Sequence, residues 1–180
     1  MYEIRNRLRH TFTWRGDRTD KSRYADVTEW WRSPELLREL GPSLARLFEE
    51  DKPTVVLGPQ SRGCLLGPLV ALELGVGFVE VRKEETPSGD SDLWVRRTTP
   101  PDYRDRHLTL GFRKSLIGAG ERVLLVDDWI DTGAQAYAAY QLVNDAEATW
   151  LGAAVVVDAL ANNQDRRLLG VRSLLHIRDL

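Results

Sequence analysis

The sequence predicts an α/β fold: a mainly parallel sheet flanked by helices. Three observations point there. Short apolar, β-branched runs recur at TVVL (54–57), FVEVR (78–82), RVLLVDD (122–128) and GAAVVVDAL (152–160). Helical patterns at 65–75 and 134–145 separate these runs in pairs. The runs are apolar throughout rather than alternating, as strands covered on both faces are. With 180 residues and 42% hydrophobic content, the chain can bury one core as a single domain, 1–180.

Each element follows from its local pattern. Residues 1–23 carry seven Lys or Arg against three acids, a net +4 that leaves −6 for the rest. They read as a basic N-terminal arm, either a solvated face or a contact for phosphate or nucleic acid. SPELLRELGPSLARLFEE (33–50) spaces Leu36, Leu37, Leu40, Leu44, Leu47 and Phe48 for an amphipathic helix, with Ser33 as N-cap and Pro34 in the first turn. Gly41-Pro42 predicts a kink or split inside it, because proline lacks a donor and clashes with the preceding turn. TVVL then opens a unit of strand, loop (Gly58 to Gly63), helix (65–75) and strand (78–82). Residues 83–106 are polar, with three prolines and one glycine, and 24 residues without a periodic pattern predict a flexible flap beside a site. RVLLVDD is the strongest strand signal, followed by a short loop and the helix 134–145. The tail, 161–180, mixes turn residues with short apolar runs and is expected to pack over one end of the sheet.

Composition removes several classes of function. A net charge of −2 is too small for polyanion binding by the chain as a whole. Cys64 is the single cysteine, so no internal disulfide forms, and with three histidines (His10, His107, His176) it leaves no zinc site at ligand spacing. No apolar run approaches the ~18 residues of a membrane span, and the first residues lack the apolar core of a signal peptide. The expected setting is cytoplasmic and reducing, with no membrane partner.

The chemistry concentrates in VLLVDDWIDTGAQ (123–135). A buried strand delivers Asp127 and Asp128 to the carboxyl edge of a parallel sheet, where ligands of open α/β folds bind. A short loop then opens a helix whose free N–H groups, with Gly133 allowing close approach and Thr132 offering a hydroxyl, suit a phosphate. Two carboxylates beside a phosphate repel it unless a cation intervenes, either Mg²⁺ or the positive charge of a forming sugar cation.

This segment resembles the phosphoribosyl diphosphate (PRPP) signature of type I phosphoribosyltransferases. GPQSRGCLLG (58–67) and FVEVRK (78–83) are similar to the diphosphate loop and following strand of the adenine phosphoribosyltransferases, and YADVT (24–28) and VRSL (171–174) extend the likeness. The resemblance implies a Rossmann-like core with a small hood subdomain, and transfer of ribose 5-phosphate from PRPP to a nitrogenous base, a purine of the adenine or hypoxanthine kind, releasing diphosphate. It implies that Asp127 and Asp128 hold the ribose hydroxyls and, through water, Mg²⁺. Asp131, Thr132, Gly133, Ala134 and Gln135 would hold the 5′-phosphate; Ser61, Arg62, Gly63, Arg82 and Lys83 the diphosphate; and Tyr24 the base. A homodimer is the implied assembly. The alternative is a non-catalytic PRPP-binding regulator that contacts nucleic acid through the arm.

Departures from the family pattern refine these expectations. Asp131 stands where adenine enzymes carry alanine and where hypoxanthine and guanine enzymes carry an aspartate acting as a base, so it joins Asp127 and Asp128 as a candidate catalytic group. The flap lacks the family's glutamate and offers Asp102 and Asp105 instead. Gln60 replaces a common glutamate, and Ala134-Gln135 replace Gly-Thr. Trp30, Trp31 and Trp150 read as packing residues, Trp94 and Trp129 as candidates to stack on a base. Cys64 reads as packing rather than nucleophile.

Overall fold

The computed structural model describes residues 2–16, 24–84, 93–99 and 107–180. In chain order the elements are α1 (Tyr2–His10), β1 (Thr13–Arg15), β2 (Tyr24–Asp26), α2 (Thr28–Arg32), α3 (Pro34–Ala45), β3 (Val55–Pro59), α4 (Gly63–Leu74), β4 (Gly77–Glu84), β5 (Trp94–Thr98), β6 (Thr109–Arg113), β7 (Arg122–Ile130), α5 (Ala134–Asp145), β8 (Thr149–Asp158), α6 (Asn163–Leu168) and β9 (Val171–His176). Seven strands form one sheet in the order β5-β6-β4-β3-β7-β8-β9, and β1 pairs with β2 apart from it. The five strands from β4 to β9 run parallel, whereas β6 and β5 add an antiparallel extension.

Alternation along β7 divides the core. Leu124 and Val126 face α1 to α4, where Leu8, Trp30, Leu40, Leu44, Leu66 and Val70 are buried. Val123 and Leu125 face α5, against Ala138, Ala139, Leu142 and Val143. Successive residues of a strand point to opposite faces, so a strand covered on both sides is apolar at every position. That is why RVLLV reads as an unbroken run.

Four expectations change. The N-terminal arm is not a free face: α1 buries Ile4 and Leu8, the Trp30 indole donates to the Leu8 carbonyl at 3.1 Å, and Arg7 pairs with Glu39 at 3.0 Å. Its residues 17–23 lie outside the described residues. Helix α3 keeps its Ser33 cap, whose hydroxyl accepts from the Leu36 N–H at 3.2 Å, but Pro42 does not split it. Only one turn follows the proline, and the carbonyl it leaves unbonded belongs to the exposed Arg38, where water can satisfy it. The helix ends at Ala45 rather than continuing to 50.

The proposed flap is not structureless where it is described, because Trp94–Thr98 pairs with β6 as an antiparallel strand. Residues 85–92 and 100–106 lie outside the described residues, as do Asp102 and Asp105. The tail does not merely cap the sheet, since β9 joins it as the edge strand beside β8. Both strands are short and carry arginines, so no apolar run announces them.

Where β7 meets β8 the register shifts between Val123 and Leu124, and Gly152 takes φ +147°. A Cβ there would lie 2.5 Å from the Gly170 carbonyl oxygen and 2.7 Å from the Phe48 ring. Gly152→Ala is therefore expected to lower stability by roughly 1–3 kcal/mol, read as a lower midpoint in thermal or urea unfolding.

Candidate active site

A cleft of about 690 Å³ opens at the carboxyl ends of β3 and β7 and is bounded by the β1–β2 hairpin. Asp127 and Asp131 to Ala136 line it, with Lys83, Arg62, Trp129, Tyr24, Ala25 and Trp14. Strands β3, β4 and β7 deliver these residues because a parallel sheet aligns all its carboxyl ends on one edge.

The loop after β7 forms an anion cradle. Gly133 adopts φ +78° as the N-cap of α5, a conformation that side chains disfavour, and the Ala134 N–H donates to the Thr132 hydroxyl at 3.3 Å. The first N–H groups of α5 thus open on the cleft beside Asp131 and Thr132, both exposed. Gln135 lines the same wall, and its Oε1 is buried without a hydrogen-bond partner among the described residues.

On the other side, β3 turns through Gln60, Ser61 and Arg62 into α4, with a cis peptide between Gln60 and Ser61. Arg62 donates to Asp128 at 2.6 Å. Gln60 ties this turn to β4: its amide donates to Glu80 at 2.8 Å, and its carbonyl oxygen accepts from the Lys83 N–H at 3.0 Å. Lys83 enters the cleft; Arg82, the next residue back, therefore points to the other face, where it pairs with Glu80 at 3.1 Å and lies 5.7 Å from the Trp94 ring. Of the five expected diphosphate contacts, Arg62 and Lys83 line the cleft, Gly63 is the buried first residue of α4, Ser61 is exposed at the turn, and Arg82 is turned away.

The two acids differ in the same manner. Asp127 lines the cleft and its carboxylate accepts the Asp128 N–H at 2.9 Å. Burial, and then repulsion from Asp128, push the Asp127 carboxyl well above the usual carboxylate range. Asp128 is 6% exposed and is held by Arg62. No set of three or more His, Cys, Asp or Glu is placed to hold a metal among the described residues. Two adjacent carboxylates nevertheless fit Mg²⁺, which keeps most of its waters and takes its remaining ligands from substrate phosphates.

An aromatic wall closes the far end. Trp129 stacks on Phe12 with ring centres 6.2 Å apart, and Trp14 meets Trp129 edge-on at 6.3 Å. Trp14 is a lining residue that sequence reasoning missed, because what places it there is the pairing of TWR with YAD, which sets Trp14 opposite Ala25 and leaves no periodic pattern in so short a strand. The hairpin is pinned by Asp26, which accepts from the Thr28 hydroxyl at 2.6 Å and from Arg15 at 2.9 Å. Hydrogen bonds from Thr28, with Arg15, pull the Asp26 carboxyl down to about 2. Its stabilising contribution is thus present above the ordinary carboxylate range and lost only as pH falls toward that value. Trp94 is absent from the wall: it lies on β5 among Arg82, Arg96 and Arg113.

Cys64 sits at the start of α4, with Sγ 3.5 Å from the Gly58 carbonyl and 3.8 Å from Glu80. Burial and the Glu80 charge raise its thiol to about 11. At pH 8 its alkylation by iodoacetamide, followed by mass spectrometry, is expected to run about a hundredfold slower than that of a free thiol.

Residues 27–174 match the phosphoribosyl transferase domain model. The chain belongs to the phosphoribosyltransferase family. The adenine phosphoribosyltransferase of Natranaerobius thermophilus is 35% identical over 138 residues, covering 75% of this chain and 76% of that protein. The crystal structure of the Rhodothermus marinus adenine phosphoribosyltransferase superposes with a TM-score of 0.81 at 29% identity, over 98% of this chain and 100% of that one. That of the Saccharomyces cerevisiae enzyme, complexed with adenine and an imino-altritol bisphosphate, gives 0.80 at 29% identity, over 97% and 100%. The phosphoribosyltransferase is of type I and most similar to the adenine enzymes, as the sequence motifs led one to expect. No helix among its described residues is long and apolar enough to cross a membrane.

Proposed function

We propose that the chain transfers ribose 5-phosphate from PRPP to a purine, releasing diphosphate, and that it does so with Mg²⁺. One observation carries this reading: a helix-N-terminal anion cradle and a cationic turn flank Asp127, with Asp128 held beside it by Arg62, in a single cleft that ends in aromatic rings. PRPP has that charge order, with a phosphate at one end, a diphosphate at the other and a sugar between them. The adenine in the yeast complex supports a purine acceptor.

In this reading the N–H groups of Gly133 to Gln135 bind the 5′-phosphate, while Arg62 and Lys83 draw charge onto the departing diphosphate. Asp127 and Asp128 orient the ribose hydroxyls and stabilise the positive charge that grows as the C1′–O bond breaks. Bound Mg²⁺ supplies charge neutralisation for the diphosphate. Trp129, Trp14 and Tyr24 hold the base with its nitrogen edge toward the sugar, and that nitrogen forms the new bond to C1′. Asp131 accepts the proton that the base gives up. Exclusion of water matters, because water would capture the ribosyl cation.

A second copy of the chain is the proposed partner. Leu65 and Leu72, one apolar row of α4, are 55% and 79% exposed, which a covering subunit would remedy; light scattering at twice the monomer mass tests it. A cytoplasmic location belongs to the same proposal. Among the described residues no observation favours the regulator reading, and Arg7 and Arg15 of the arm are paired within the chain.

The test is diphosphate release from PRPP and Mg²⁺ with adenine, hypoxanthine, guanine, xanthine, orotate or uracil, with product masses read afterwards. Release with one purine supports the proposal. Release with none, while PRPP binds, overturns it in favour of the regulator.

A further inference from the structure

The Arg62–Asp128 pair joins two groups that the proposed reaction assigns to different parts of one substrate. Arg62 lies at the N-terminus of α4, where a diphosphate would dock, with its side chain 44% exposed. Asp128 is buried at 8% side-chain exposure at the end of β7, where ribose hydroxyls and a cation would dock. Here each satisfies the other at 2.6 Å. A buried carboxylate stripped of its partner is strongly disfavoured. Arg62 can therefore leave for a diphosphate only if another cation or donor set takes its place on Asp128.

We propose that Asp128 is a positioning residue that holds Arg62 in reserve, so that the site admits diphosphate only in exchange for a new partner on Asp128. PRPP with Mg²⁺ brings both halves of the exchange at once, cation and hydroxyls to Asp128 and diphosphate to Arg62. Free diphosphate brings one half only and is disfavoured. The inference rests on the PRPP reading of the cleft and adds a selection to it: the cleft discriminates against bare polyphosphate anions, which carry the same negative groups without the sugar or the metal.

The test is calorimetric titration of the full chain with inorganic diphosphate in EDTA. Asp128→Asn, nearly isosteric, releases Arg62 and is expected to tighten metal-free diphosphate about tenfold, the scale of one charge-assisted contact. Asp127→Asn alters the neighbouring carboxyl without freeing Arg62, and is expected to give a clearly smaller gain. In Arg62→Gln/Asp128→Asn the gain should vanish. Equal affinity in wild type and Asp128→Asn, or equal gains from the two Asp→Asn changes, overturns the proposal. Thermal melts show whether Asp128→Asn folds. If it does not, the arginine side-chain NMR signals of the wild type decide, with Arg62 assigned by its loss in Arg62→Gln. A shift at saturating Mg²⁺ and PRPP supports the exchange, and an unmoved signal excludes it. Failure of wild-type protein to bind PRPP with Mg²⁺ would sink the PRPP reading itself, a result distinct from the loss of this selection.

Discussion

Replacing Asp127 and Asp128 together by alanine is expected to lower kcat/KM for PRPP by roughly 10³-fold or more, since the change removes both the groups that orient the sugar and those that oppose its growing charge. The same variant should lose Mg²⁺-dependent PRPP binding in calorimetry. The fold should tolerate the change better than a core substitution would, because the groups left behind are a half-exposed Arg62 and the cleft itself. Unaltered PRPP affinity in a folded double variant would remove the acid pair from the site.

Asp131→Asn separates binding from proton transfer. It preserves the shape of the cradle and the Thr132–Ala134 hydrogen bond, so PRPP affinity should hold, while turnover falls roughly 10²–10⁴-fold. A loss of that size at constant PRPP affinity assigns Asp131 the proton from the base. Unchanged turnover would leave the acceptor deprotonated by some other group, and the likeness to hypoxanthine enzymes at this position would then carry no mechanistic meaning.

The central strands and the cradle were legible because one physical signal serves both. A strand covered on both faces must be apolar, so the point at which VLLV gives way to Asp127 marks where β7 reaches the cleft, and α5 begins at Ala134, where the helical pattern places it. The antiparallel extension was not legible, since WVRRT sets two arginines side by side and its partner strand is only five residues long. The arm misled for a related reason: its charges outnumber its core contacts, yet Ile4 and Leu8 alone determine which side of α1 faces inward. Within the site, composition could name Arg62, Arg82 and Lys83 but not sort them. Pleating did so, sending Lys83 into the cleft and Arg82 to the opposite face. The pairing of Arg62 with Asp128 spans 66 positions of sequence and leaves no local trace.

The indole of Trp129 follows the acid pair directly and is wedged between Phe12 and Trp14. Acid pair and chromophore are thus neighbours on one strand. Near-ultraviolet absorption and emission are therefore expected to change when a ligand alters the field at Asp127 and Asp128. Because Phe12 comes from the stretch between α1 and β1, the same optical signal also registers whether the amino-terminal segment is seated.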